Sequence, residues 1–201
     1  MSDVTKLCDT APATGAAGSA PGAGSAPGVP ATGAAPEATK PDPDAWKKQL
    51  EGKSEKVQKA LINHHSRYNC AQAVACAFAS EFGYDEAEVF AMMEAFGFGM
   101  GTMSVCGAVS AMTAVAGMKE SCTEPGNSST KKKSYAISKA MHKAFAEKNG
   151  SVICRDIKGV DTKKVLRSCD GCIMDAAEII EQYLNGELEI PEPKKPAGGA
   201  K

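Results

Sequence analysis

Between Asp170 and Leu184 the apolar positions are Ile173, Ala176, Ala177, Ile180, Tyr183 and Leu184, which fall on one stripe at helical spacing. The same three- and four-residue rhythm returns through most of the chain, and no segment alternates convincingly with period two. Ala45 to His65 reads as a polar helix or helix pair broken at Gly52. Asn69 caps a helix from Cys70 to Phe82, which Gly83 stops. Asp85 and Glu88 have the spacing of a capping box for a helix from Glu86 to Phe96. A helix from Cys106 to Ala116 ends at Gly117, and another runs from Ser129 or Thr130 to Lys148, ahead of Asn149-Gly150. The pattern predicts an all-α fold, a compact bundle of about five helices.

One run departs from this rhythm. Ala95 to Met118 carries no charge and is about long enough to cross a bilayer. It holds glycine at 97, 99, 101, 107 and 117 together with Thr102, Ser104, Ser110 and Thr113, and has little bulky apolar content. No basic cluster flanks its N-terminal side, so no membrane span is expected. Gly97 and Gly99 resemble the start of a dinucleotide loop, but Thr102 stands at the third-glycine place and a helical segment, not a strand, comes before. The expected arrangement is a glycine-rich loop feeding a small-residue helix. Gly107, Ala108, Ala111 and Ala114 let neighbouring backbones approach, which puts this helix at the centre with Cys106 at its N-terminus. A small-residue helix of this kind can also pair two copies into a homodimer.

Composition changes the picture mainly at the ends and at sulfur. Residues 1–43 are dominated from Thr10 onward by Ala, Gly, Pro, Ser and Thr, which cannot build a core, and read as a disordered tail carrying Cys8. Residues 191–201 read as a second tail, leaving 44–190 as a cysteine-containing helical domain. A net charge of -1 gives no electrostatic argument for nucleic acid. The N-terminus has no apolar secretory core, so a reducing, cytoplasmic setting is expected, where thiols serve as ligands, redox groups or core residues more often than as structural disulfides.

Of the eight cysteines, Cys70, Cys106 and Cys169 fall at predicted helix N-termini, where unpaired N–H groups and the helix dipole favour a thiolate. Each could equally be a small buried hydrophobe; the shared placement favours function. Cys169 and Cys172 form a C-x-x-C, a spacing that suits a dithiol or a shared metal, and Ile173 in place of His removes the haem-attachment signature. Cys154 follows a helix-ending glycine, and the adjacent Arg155 either lowers its pKa or is a solvated charge. Cys76, on another helical face, reads as core and Cys122 as an incidental exposed thiol. His64 and His65 read as solvated or capping, with metal ligation as the alternative, and His142 as surface. Met92, Met93, Met100, Met103, Met112 and Met118 read as soft core packing, with copper binding as a remote alternative.

Taken together, "YNCAQAV", "CGAVSAMTAVAG", "ICRDIKG" and "CDGCIMDAAEII" resemble the C_GCAxxG_C_C family, which is regarded as redox-active because of its cysteines. The likeness covers roughly Ser66 to Leu184 and maps the four hallmark cysteines onto Cys70, Cys106, Cys154 and Cys169. Cys172 stands where relatives commonly carry an apolar residue, and Ala111 replaces the glycine that closes the central motif. A similar domain in split-Soret cytochromes is associated with an iron–sulfur cluster; without C-x-x-C-H, no haem is expected here. The resemblance implies redox chemistry with an unidentified partner protein. Either Cys70, Cys106, Cys154, Cys169 and Cys172 exchange thiols and disulfides, as a thiol oxidoreductase would, or the four hallmark thiolates hold an iron–sulfur cluster for electron transfer or sensing. A zinc-stabilised interaction domain is the non-redox alternative, although zinc usually draws two close ligand pairs.

Overall fold

A computed structural model describes residues 42 and 44–191, and the two tails, with Cys8, lie outside the described residues. The described part is helical with no strands, as the periodicity predicts. Seven α-helices run in order: α1 (Glu55–His65), α2 (Cys70–Phe78), α3 (Glu86–Met93), α4 (Gly107–Glu120), α5 (Lys131–Asn149), α6 (Cys154–Ile157) and α7 (Cys169–Leu184). Tighter 3-10 turns cover Ala45–Leu50, Ala79–Phe82 and Glu94–Phe96. None of the described helices is long and apolar enough to cross a membrane.

Helix ends follow local chemistry. Ser54 caps α1 by accepting from the Val57 N–H. At α2, Asn69 accepts from the N–H groups of Ala71 and Gln72 while the Gln72 side chain accepts from the Asn69 N–H, a reciprocal box. Asp85 accepts from Ala87 and Glu88 at α3, but only the forward arm of the predicted box forms. Gly83 and Gly150, at φ 75° and 81°, stop their helices in the left-handed conformation.

Gly117, expected to end the central helix, instead lies within α4, which continues to Glu120. The extra turn has partners on other helices: Glu120 accepts from the Tyr183 hydroxyl of α7 at 2.5 Å and pairs with Lys133 of α5. Lys119 lies 4.5 Å from the centre of the Tyr183 ring. Those contacts override glycine's weak helix propensity.

The core also differs from expectation in its centre. Every residue of α2 from Ala71 to Phe78 is buried, and α2 packs on α1, α3, α4 and α7, so the centre is shared between α2 and α4. Most of α4's inward face is alanine, glycine and valine, which lets the two helices pack closely. The α7 stripe is buried as predicted, with only Leu184 partly open. Among the methionines, Met93 and Met112 are core, whereas Met92 and Met100 are 58% and 42% exposed, because hydropathy alone does not fix the direction of a side chain.

Candidate functional site

Four helix beginnings meet at one cavity. Cys70 is the first residue of α2, Cys154 the first of α6 and Cys169 the first of α7; Cys106 is the N-cap of α4, and Cys172 lies on the first turn of α7. All five sulfur-bearing residues line a cavity of about 180 Å³, together with His64, Asn69, Phe98, Ile157, Lys158 and Arg167. The predicted placement of Cys70, Cys106 and Cys169 at helix N-termini holds, and Cys154 joins them through α6. That four-residue helix is too short to show a periodic pattern in the sequence.

Each helix start is fixed by side-chain and backbone bonds. Asn69 Nδ2 donates to the Glu94 carbonyl at 2.8 Å and Gln72 Nε2 to that of Phe90 at 2.9 Å, tying Cys70 to the end of α3. Ser168 Oγ accepts from the Gly171 N–H at 3.0 Å and starts α7 at Cys169. Cys106 and Cys154 are clasped by an isolated antiparallel bridge between Val105 and Ile153. The Cys106 N–H donates to the Val152 carbonyl at 2.8 Å, and the Cys154 N–H donates to that of Ser104 at 2.7 Å.

The glycine-rich stretch supplies the approach to Cys106. Phe98, Gly99, Met100, Gly101 and Met103 all have φ between 53° and 69°, so the chain winds left-handed here. At Gly99 a Cβ would come within 2.7 Å of the Ser104 nitrogen, which requires glycine. Gly107 is needed for a different reason: its Cβ would meet the Cys70 sulfur at 2.5 Å and the Phe96 carbonyl at 2.8 Å. The close approach of α4 to α2 at this point is what brings Cys106 beside Cys70.

The thiols do not share one environment. Cys106 is held down at about 7 by a hydrogen bond from the Cys172 side chain, against the opposing effect of burial, with help from the Ala108 and Val109 N–H groups and Lys158. Cys172 is pushed far up by the same pairing and by burial. Burial pushes Cys70 up despite N–H groups from Phe98 and Gly107, and burial followed by the nearby Cys106 pushes Cys154 up to about 11. Lys158 Nζ donates to the Cys169 sulfur at 3.3 Å, and that bond raises the lysine's own pKa.

Lys158 and Arg167 are the cationic members of the site that the sequence reading did not single out. Lys158 lies one helical turn beyond Cys154, and that i, i+4 spacing is the signal that could have found it. Arg167 precedes Cys169 by two residues and makes a bidentate pair with Asp175, which is 2% exposed. Arg155, weighed as a neighbour lowering Cys154, turns away instead: its guanidinium binds Asp161 at 2.6 and 2.7 Å.

The remaining candidates fall apart from the thiols or at their edge. Cys76 is buried in the core and pushed up to about 11 by burial and Glu86. Cys122 is half-buried in a separate depression with Ser121 and Thr130. His64 reaches the cavity wall, and its Nδ1 lies 3.0 Å from the Tyr68 carbonyl; His65 stacks on Trp46 and contacts Asp170. His142, expected at the surface, is half-buried with Nε2 3.1 Å from the Thr113 hydroxyl.

Cys70, Cys106, Cys154 and Cys169, the thiols on which an iron–sulfur cluster would draw, all line this one cavity, with Lys158 and Arg167 at its wall. Among the described residues no group of three or more His, Cys, Asp or Glu is arranged to hold a single metal ion. Comparison with known proteins gives no match among curated proteins and none among solved structures. A family model described as "Putative redox-active protein (C_GCAxxG_C_C)" matches residues 68–183, the segment that carries all five cavity cysteines. The chain belongs to the C_GCAxxG_C_C family.

Proposed function

We propose that the domain is a thiol-based redox protein whose cavity cysteines cycle between dithiol and disulfide. The observation that carries this reading is the convergence of Cys70, Cys106, Cys154, Cys169 and Cys172 on one cavity that also holds Lys158. Five free thiols around one space place several sulfurs within reach of a common oxidant. At Cys106 the Cys172 side chain, the N–H groups at the start of α4 and Lys158 favour the thiolate form, the species that reacts. A partner protein or small dithiol would return the oxidised form to its starting state.

A second reading uses the same wall. Cys70, Cys106, Cys154 and Cys169 would hold an iron–sulfur cluster, which supplies one-electron transfer when bound. It is supported by the two cations at the cavity, and Cys172 would then be a hydrogen-bond donor to the Cys106 sulfur.

Purification of the full chain without oxygen separates the two. The thiol reading expects colourless protein that loses cavity thiols to a mild oxidant and regains them with dithiothreitol. Brown protein containing iron and acid-labile sulfide would carry the second reading. Thiols that stay unreacted in metal-free protein would sink both.

A further inference from the structure

We infer that the cavity selects small disulfides that carry a carboxylate, and that Arg167, laid across Gly171, is the group that recognises that carboxylate. The inference rests on the thiol reading above and deepens it by naming the substrate class.

The recognition device begins with a glycine inside a helix. Gly171 lies in the first turn of α7, between the two cysteines of the C-x-x-C, where alanine would favour the helix more. A Cβ there would come within 2.8 Å of Arg167 Cδ and Cζ and closer still to Nε. The missing side chain is therefore the room in which the arginine lies against α7. One turn further along, the Asp175 carboxylate accepts from Arg167 Nε at 2.9 Å and from Nη2 at 3.1 Å. Asp175 is 2% exposed and also pairs with Lys148 at 2.8 Å, so this anchor is itself fixed. Arg167 Nη1 has no hydrogen-bond partner among the described residues, and the arginine side chain is 42% open to solvent. A guanidinium locked along one edge, with donors to spare, is preorganised for a carboxylate.

The rest of the wall sets sign and size. Lys158 Nζ, 3.3 Å from Cys169 Sγ and 6.0 Å from the centre of the Phe98 ring, is a second cation at the cavity. Among the described residues no carboxylate lines it. Phe98 and Ile157 add an apolar wall, which suits a short aliphatic stem between sulfur and carboxylate. The volume of about 180 Å³ admits such a stem and is small for anything drug-sized.

The chemistry is thiol–disulfide exchange. A cavity thiolate attacks one sulfur of the bound disulfide; its S–S bond breaks, a mixed disulfide forms, and one half leaves as a thiolate. A second cavity thiolate attacks the mixed disulfide, closes a protein disulfide and releases the other half. Two protein thiols and one small disulfide thus give one protein disulfide and two small thiols.

The test follows thiol loss from the reduced full chain with 3,3′-dithiodipropionate, 2-hydroxyethyl disulfide and cystamine, which are alike in length and differ in charge. Each rate is divided by that of the same disulfide with dithiothreitol, which removes intrinsic reactivity. The expected order is anionic, neutral, cationic, with the dipropionate ahead of the neutral disulfide by about tenfold at low salt. That lead should shrink in about 0.5 M sodium chloride. It should also fall towards unity in Arg167→Met and in Gly171→Ala, which keeps every charge and thiol but takes the arginine's room. The order and salt dependence in the unaltered chain decide the charge selection even if a variant folds poorly. Equal normalised rates, or cystamine fastest, overturn that selection while the thiol reading stands. A lead that survives in both folded variants overturns the role of Arg167. No thiol loss to any of the three removes the thiol reading and this inference with it.

Discussion

Lys158 Nζ stands 3.3 Å from the Cys169 sulfur, projecting from the end of the short helix that Cys154 begins. One cation thereby serves two helices of the site, because the same charge also favours the thiolate of Cys106. Replacing it in Lys158→Met removes that attraction and raises the Cys106 pKa. Alkylation of Cys106 by iodoacetamide at pH 7, followed by mass spectrometry, should slow by roughly twofold, the effect of about half a pKa unit on the thiolate fraction. An unchanged rate would show that the lysine does not act on this sulfur.

The pH profile of the same alkylation should rise through about 7 for Cys106, while Cys154, pushed up to about 11, stays slow across the neutral range. Cys172→Ala removes the hydrogen bond that holds Cys106 down and should move its inflection upward. A Cys106 profile centred near an ordinary thiol, about 8.5, would contradict the pairing described here.

Stability should fall on the alkaline side. Cys106 is lowered on folding, so its contribution is present above the unfolded value and is lost as pH falls through about 7. Cys76 and Cys154 are raised to about 11, so their contribution is complete below the unfolded value near 8.5 and is lost as pH rises towards about 11. Between pH 7.5 and 9.5 the raised thiols dominate, and the thermal midpoint should drop by on the order of a few degrees. The drop should be shallower in Cys76→Ala.

Two glycines of α4 should respond with opposite sign to the same substitution. Gly107→Ala forces a methyl group against the Cys70 sulfur and the Phe96 carbonyl, and should cost about 1–3 kcal/mol in urea unfolding. Gly117→Ala meets only the Ser121 hydroxyl at 3.8 Å and sits in a continuous helix, so it should stabilise by about 0.5–1 kcal/mol. Equal effects would mean that helix propensity, not the contact with Cys70, governs position 107.

Asp175→Asn should destabilise the domain by about 2 kcal/mol. The carboxylate is 2% exposed and receives Arg167 at 2.9 and 3.1 Å and Lys148 at 2.8 Å. Both cations are more than two-fifths open to solvent, which keeps the loss below that of a fully buried pair left with an unpaired charge. A urea midpoint indistinguishable from the unaltered protein would contradict this.

The sequence revealed most where the determining chemistry is local. Asn69, Asp85 and Gly150 act on residues within one turn, so the ends they set are legible from neighbours alone. Gly117 failed as a stop because Tyr183 and Lys133, both distant along the chain, hold the turn beyond it. The four hallmark cysteines were legible through the motifs around them and Cys172 through its C-x-x-C with Cys169, and all five line the cavity. Spacing could not give the division of labour among them, nor the cations Lys158 and Arg167. That depends on how α4, α6 and α7 cross in space.

The clasp between Val105 and Ile153 has one more consequence. The two N–H groups that form its rungs belong to Cys106 and Cys154 themselves. Hydrogen–deuterium exchange at these two amides therefore reports on the backbone beneath two sulfurs of the cavity. Chemistry that pulls either sulfur out of register should loosen its own rung and speed exchange there, while the α7 core amides stay slow. The protein carries a built-in gauge, readable without any label, of whether an event at the thiols remains with the side chains or reaches the main chain.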